Sequence, residues 1–327
     1  MQMHGPNLFR ISLGEADCQP SRLFPDGLNC YDLRVSGTTF LGRANFSARD
    51  KTGLSEPILA VGRLGTPVIE LHRICEVGWG GAWHDMALDP GGEAVLLVTK
   101  YVSGSPAILR YDMQTHKLGE VAQLRAGITY GCMSVSPQGR LVAIVWSEDQ
   151  LVDNYYWCTV ALVDIEKGTT MYLPISLRLD QGFQGAPVWS PGGNKLMICG
   201  DRFEGGKYQG WMTILDVRTN ALSIPNEVTQ FGGWFDEETF LALPRKSTRW
   251  ARVDLGGSVL KQFPQDGRPI HLPGSRFILA EKGTQAEPQI ELWDLEGNTI
   301  RKLPPSVEMP YHLWKYSAAG GGGAKGR

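Results

Sequence analysis

One motif recurs along this chain at a spacing that few folds can accommodate. It joins a short apolar run to an aspartate and a turn: "LRYDMQTHKL" around Asp112, "ALVDIEKGTT" around Asp164, "TILDVRTNAL" around Asp216, "ARVDLGGSVL" around Asp254 and "ELWDLEGNTI" around Asp294. Successive aspartates lie 52, 52, 38 and 40 residues apart. A period of that length marks a repeat architecture and is the size of one four-stranded blade.

A second landmark precedes each aspartate, a tight turn between two apolar runs. It reads "MALDPGGEAVLLV" from Met86, "MSVSPQGRLVAIV" from Met133, "PVWSPGGNKLMIC" from Pro187, "GWFDEETFLAL" from Gly233 and "HLPGSRFILA" from His271. Proline presets φ in such a turn, and glycine supplies the positive φ that a branched residue resists. Each unit therefore reads as strand A, turn, strand B, variable loop, strand C ending in Asp, turn, strand D.

Five units with both landmarks span about 79–124, 125–177, 182–226, 229–264 and 267–304. An earlier one, about 28–77, has strand-length runs but carries Gly62 at the aspartate position and reads as a degenerate blade. The segment 310–317, "PYHLWKYS", resembles a lone strand A and is expected to close a ring, with residues 1–27 as an extension or a contributor to the same blade. One blade cannot bury both faces of its sheet, so blades must stack radially, and a closed ring leaves only short edges. The expected fold is all-β: a β-propeller of six blades, with seven as the alternative, followed by a flexible glycine-rich tail over 318–327.

The turn "SPxG" followed by an apolar strand and then "LxDxxT" or "WDLEGN" resembles the WD-like repeats of TolB-type propellers and the propeller half of prolyl oligopeptidase-like proteins. The resemblance covers about residues 79–304 and implies a fold, because such propellers serve as scaffolds, binding domains and enzyme lids alike. It departs from the oligopeptidases in having no hydrolase domain and no G-x-S-x-G nucleophile elbow in the sequence.

Charge narrows the partners. With 32 Lys and Arg against 34 Asp and Glu, the net charge of -2 supplies no basic field for nucleic acid or an anionic membrane. No apolar run approaches the length of a membrane span, and the start has no secretory signal, so a cytoplasmic protein is expected, or a periplasmic or secreted one if a signal has been removed. Six cysteines show no CxxC pair. Cys158 and Cys199 read as buried thiols within apolar strands, and Cys18 and Cys30 as a pair that could bridge.

The five motif aspartates read as turn builders, each accepting hydrogen bonds from backbone N–H groups after strand C. Spread one per blade, they cannot converge as catalysis requires. His84 and His312 fall at equivalent places on inner strands and, with Trp83, Tyr130, Gln184 and Tyr311, make a candidate channel mouth. A metal would need a third ligand, and Asp85 points to the other face of its strand. No cofactor or metal is expected.

The B–C and D–A loops share one face of a propeller. Three of them carry aromatic and charged residues: 146–157, with Glu148, Asp149, Asp153, Tyr155 and Tyr156; 200–211, with Arg202, Phe203, Lys207 and Tyr208; and 244–250, with Arg245, Lys246 and Trp250. Aromatic and arginine side chains dominate interface hot spots, so this rim suits another protein or a peptide. The sequence points to a non-enzymatic interaction scaffold or a subunit of a larger assembly. The alternatives are a six-bladed metal-dependent hydrolase of the lactonase type and a small-molecule sensor using the channel.

Overall fold

The computed structural model describes the backbone of residues 83–99, 106–125, 128–152, 155–179, 187–204, 207–225, 227–271, 275–284 and 287–303, together with six strands nearer the N-terminus. Every regular element among the described residues is a β-strand. Six sheets have four strands each, and every neighbouring pair is antiparallel and consecutive in sequence.

Sheet I holds β3 (Leu28–Ser36), β4 (Thr39–Phe46), β5 (Ile58–Arg63) and β6 (Ile69–His72). Sheet II holds β7 (Trp83–Leu88), β8 (Ala94–Thr99), β9 (Ala107–Asp112) and β10 (Leu118–Gln123). Sheet III is β11 (Ile128–Val135), β12 (Leu141–Val152), β13 (Tyr155–Asp164) and β14 (Thr169–Leu179). Sheet IV is β15 (Val188–Trp189), β16 (Lys195–Glu204), β17 (Lys207–Asp216) and β18 (Ala221–Ser223). Sheet V comprises β19 (Val228–Trp234), β20 (Thr239–Pro244), β21 (Ala251–Asp254) and β22 (Val259–Gln262). Sheet VI comprises β23 (Arg268–His271), β24 (Ile278–Thr284), β25 (Glu287–Trp293) and β26 (Thr299–Lys302). A two-stranded pair, β1 (Phe9–Arg10) with β2 (Ser21–Arg22), precedes them. The expected closing strand 310–317 and the tail 318–327 lie outside the described residues.

First strands of successive sheets touch one another, β3 with β7, β7 with β11, β11 with β15 and β19 with β23, so the sheets fan out from a common inner side. The core lies between sheets and not within one. Val142 and Ile144 face sheet II, where they meet Leu96, Val98 and Ile108. Their neighbours Ala143 and Val145 face sheet IV, meeting Trp189, Leu196 and Ile198. Alternate residues of one strand thus enter two different cores. That is why "LVAIV" and "LMIC" are apolar throughout and do not alternate: both faces of these sheets are buried. Sheets IV and V enclose Met197, Met212, Phe231, Trp234 and Phe240, and sheets V and VI enclose Leu241, Trp250, Phe263, Ile278 and Trp293.

Both turn landmarks work by side-chain capture of main-chain donors. Ser136 Oγ accepts the N–H of Leu141, and Ser190 Oγ that of Lys195, each at 3.0 Å, closing the two Ser-Pro turns. After strand C, Asp112 Oδ1 accepts the N–H groups of Gln114 (3.1 Å) and Thr115 (2.8 Å) and the Thr115 hydroxyl (2.9 Å). Asp216 repeats this with Arg218, Thr219 and the Thr219 hydroxyl. Asp164 takes the N–H of Lys167 and, on its other oxygen, the Arg140 guanidinium at 3.0 Å. Asp254 accepts from Ser258, and Asp294 from Glu296 and Asn298. Each turn ends in a left-handed residue, His116, Gly168 and Asn220 four positions after the aspartate and Gly257 and Gly297 three positions after it. At Gly297 (φ 85°) the glycine is needed twice over, since a Cβ there would also stand 2.8 Å from the Phe263 ring in sheet V.

Two predictions follow from these turns. Gly297→Ala should lower stability by about 2–4 kcal/mol, adding left-handed strain to a clash with a buried ring. Asn220→Gly, at the matching place in sheet IV, should shift it by less than about 1 kcal/mol. Urea midpoints for the two variants check the contrast, and equal midpoints would refute it. The second concerns pH. Hydrogen bonds from the Thr115 N–H and hydroxyl lower the pKa of Asp112, and the Thr219 N–H chiefly lowers that of Asp216. Burial opposes ionisation of Asp164 and Asp236, but hydrogen bonds and the Arg140 and Arg252 charges outweigh it and lower both. Groups depressed in the native state stabilise it above the ordinary aspartate value near 4 and cease to do so as pH falls through their lower native values. Urea midpoints should therefore drop in acid below about pH 4, and Asp112→Asn combined with Asp216→Asn should flatten that drop. An unchanged acid slope would sink the assignment.

Candidate functional site

The B–C connections differ in form between sheets. In sheet III, β12 and β13 stay paired out to Val152↔Tyr155, with a register shift between Ser147 and Leu151. In sheet IV, β16 and β17 pair without a shift from Lys195↔Asp216 to Glu204↔Lys207. In sheet VI, β24 and β25 pair out to Thr284↔Glu287. The segments read from sequence as loops 146–157 and 200–211 are therefore mostly strand. Only two residues separate the paired ends in each hairpin, Asp153 and Asn154 in one and Gly205 and Gly206 in the other. Polar side chains do not end a ladder whose backbone keeps finding partners, and a Gly-Gly pair is itself a hairpin signal.

Sheet V keeps a true B–C loop, tied to its neighbourhood by main-chain and side-chain bonds. The Arg245 N–H donates to Glu227 O at 2.7 Å, the Ser247 N–H to Pro244 O at 3.0 Å and the Arg249 N–H to Ser247 Oγ at 2.9 Å. Gln262 donates to Ser247 Oγ, Arg249 pairs with Asp266 at 3.5 Å, and the Phe263 N–H donates to Trp250 O. These contacts place the B–C loop and the connection from β22 to β23 on the same face of the fold. Arg245 and Lys246 are exposed on it.

Trp250 requires a correction. Expected on the rim, it is 3% exposed and packs with Leu241, Phe263, Ile278, Ala280 and Trp293 between sheets V and VI. A large ring beside a strand start gains more from the inter-sheet space than from solvent. Of the other rim candidates, Glu148 and Asp149 fall in β12, Tyr155 and Tyr156 open β13, Arg202 and Phe203 fall in β16, and Lys207 and Tyr208 open β17. Their side chains lie outside what the structure describes, and Asp153 lies outside the described residues. Trp83 and His84 begin β7 and Tyr130 lies in β11, as backbone only. Gln184, Tyr311 and His312 lie outside the described residues.

Two buried polar groups escaped the sequence reading. Glu291 is 2% exposed and accepts from Lys282 Nζ, Trp293 Nε1 and Thr299 Oγ1, each at 2.9 Å. Burial works against its ionisation, and the Lys282 charge with these donors prevails, holding its pKa below the usual glutamate value. Lys282 also donates to Gln265 and lies 5.5 Å from the centre of the Trp293 ring. His271 is 3% exposed with Nδ1 against Trp234 O (2.6 Å) and Nε2 against Ser275 O (3.1 Å), its ring 4.6 Å from that of Phe235. Both arrangements satisfy buried polar atoms within blade packing. Among the described residues no three His, Cys, Asp or Glu side chains are grouped to hold a metal ion.

No family profile and no curated protein sequence matches the chain. Solved structures match in fold. The β-propeller domain of the trilobed protease from Pyrococcus furiosus aligns at a TM-score of 0.57 and 12% identity, over 84% of this chain and 83% of that one. The acylaminoacyl peptidase of Pyrococcus horikoshii aligns at 0.56 and 12% identity over 82% of this chain, which spans only 45% of the peptidase. TolB from Acinetobacter baumannii aligns more loosely, at 0.41 and 13% identity over 83% of this chain and 78% of that one. With antiparallel four-stranded sheets joined in sequence and touching along their first strands, the chain is a β-propeller of the architecture found in those peptidase domains.

Proposed function

We propose that this propeller works by binding, with the hairpin-bearing face docking another protein or an extended peptide, so that the chain serves as a scaffold or a subunit of a larger assembly. The observation that carries the reading is the prolongation of β12–β13, β16–β17 and β24–β25. The lengthened strands carry Tyr155, Tyr156, Arg202, Phe203 and Tyr208 at or near their hairpin ends. Residues of those types dominate interface hot spots, and a ribbon positions them better than a loop does. The motif carboxylates support the same reading, since each is occupied by backbone donors and held apart from the others by one blade. The likeness to the β-propeller domain of the trilobed protease, and to a peptidase of which this chain spans only 45%, agrees with a part played alongside other polypeptide.

The test is affinity capture from the native host, comparing the wild type with Tyr155→Ala/Tyr156→Ala and with Arg245→Ala/Lys246→Ala. At hot-spot magnitudes of about 2 kcal/mol, the tyrosine pair should weaken recovery of a specific partner by roughly thirtyfold. Recovery unchanged in both variants would reject this face. Stoichiometric calcium or zinc on the purified protein, together with metal-dependent ester or lactone hydrolysis, would replace the binding reading with the hydrolase.

A further inference from the structure

The chain as a whole is near neutral, at a net charge of -2, but its charge is unevenly placed over the B–C connections. Segment 146–157, at the hairpin of sheet III, holds Glu148, Asp149 and Asp153 and no lysine or arginine, a formal charge of -3. Segment 200–211 in sheet IV holds Asp201, Arg202, Glu204 and Lys207, which cancel. Segment 244–250 in sheet V holds Arg245, Lys246 and Arg249 and no acid, a formal charge of +3. The corresponding segments of sheets I, II and VI, 47–57, 100–106 and 282–287, carry 0, +1 and 0. Strong charge is therefore confined to sheets III and V, opposite in sign, with a neutral hairpin between them.

The backbone brings these three connections to one end. Gln138 of the sheet III A–B turn donates to Gly192 O of the sheet IV turn, and Glu237 of the sheet V turn accepts from the Gly192 N–H. With the A–B turns so joined, each B strand leads away from them, and the B–C connections of sheets III, IV and V follow one another in that order at the other end. The segments that link sheet to sheet at this end, 180–187, 224–227 and 263–267, carry one acid each, Asp180, Glu227 and Asp266, and no base. They act on every step alike and leave the slope from acid to base intact. On the sheet V side Arg245, Lys246 and Arg249 are all exposed. Ser247 holds that loop in one shape, its Oγ accepting from the Arg249 N–H and from Gln262 Nε2. Asp266 pairs with Arg249 at 3.5 Å and so offsets one of the three cations.

We infer that the partner crosses this end as an extended polypeptide segment of split charge, basic over sheet III and acidic over sheet V, so that the direction of the bound segment is fixed. The inference rests on the binding reading given above and adds to it the chemistry that the face selects. A nucleic acid or an anionic lipid surface has one sign throughout and meets repulsion at the sheet III end. A polypeptide carries both signs in one chain. Complementary charges steer the encounter and fix register, and like charges brought together reject the reversed direction. The net charge of the whole chain conceals the arrangement because its two ends cancel.

Photo-cross-linking to the full chain tests it. The probes are synthetic peptides with three lysines at one end and three glutamates at the other, joined by Gly-Ser-Tyr linkers of about four to twelve residues, and alternating-charge isomers of the same composition. At about 10 mM salt, where charges act over about 30 Å, the block peptide should bind roughly tenfold more tightly than its isomer. A benzophenone beside the lysines should attach to 146–157 and one beside the glutamates to 244–250, as mapped by mass spectrometry. Exchanging the charges, Glu148→Lys and Asp149→Lys with Arg245→Glu and Lys246→Glu, should exchange the two attachment sites. The wild-type pattern needs no variant, so a folding defect does not decide the outcome. Equal binding of block peptide and isomer, cross-links without preference of end, polyglutamate bound as tightly as the block peptide, or a wild type that self-associates through this face and excludes the peptide would each overturn the inference. In affinity capture, a partner lost with Tyr155→Ala/Tyr156→Ala but kept with both Arg245→Ala/Lys246→Ala and Glu148→Gln/Asp149→Asn would overturn it while the binding reading stands. A partner kept in all three would overturn both.

Discussion

The fold depends on how one blade is fastened to the next. A four-stranded sheet with both faces apolar is stable only between two others, and apolar packing alone does not set their angle or register. Here a side chain at the end of the first strand reaches back to a carbonyl on the first strand of the preceding sheet. Trp189 Nε1 donates to Ser134 O at 3.3 Å, Trp234 Nε1 to Val188 O at 2.9 Å, and His271 Nδ1 lies 2.6 Å from Trp234 O. Indole suits this place because it fills the wedge between sheets and carries one donor that must be satisfied when buried. In sheet VI the smaller imidazole takes this place, with the Phe235 ring packed 4.6 Å from it.

The same logic continues at the A–B turns. Gln138 Nε2 donates to Gly192 O, and Glu237 accepts from the Gly192 N–H and from the Ser190 hydroxyl. Turns of sheets III, IV and V are linked in series by these bonds. The Asp-capped C–D turns add a further lock, as Gly297 shows by packing on Phe263 of sheet V. One face of the propeller is therefore built from interdependent turns, where a change in one blade is felt in the next. The sheet V loop, on the face that carries the B–C connections, is held instead by bonds to its own surroundings, Arg245 N–H to Glu227 O and Arg249 to Asp266.

The sequence made the architecture legible because its signals are local. An aspartate four or three residues before a left-handed position, a Ser-Pro turn, and strands apolar on both faces each have one physical reading, and five repeats of them reinforce one another. What it hid depends on partners distant in sequence. Glu291 lies in the very motif that opens the reading, yet its burial follows from Lys282 on the strand beside it and Thr299 on the other side. Trp250 looks like a rim residue until sheet VI supplies Ile278 and Trp293 to cover it. The hairpins read as loops because their residues are polar, whereas a ladder continues on main-chain pairing irrespective of polarity.

That division also explains why the fold says more about what the aspartates cannot do than about what the protein does. A carboxylate that accepts two backbone N–H groups is stabilised as the anion, and its oxygens are already committed. Such a group is a weak base at neutral pH and a costly one to redirect, because releasing it opens a turn that the adjacent blade leans on. Asp164 reaches the same end with one backbone donor, being 9% exposed and bound to the Lys167 N–H and to the Arg140 guanidinium. Charge in this repeat is spent on holding sheets in register. The residues that the repeat leaves unconstrained are those at strand ends and hairpins, where neighbouring blades differ most in sequence.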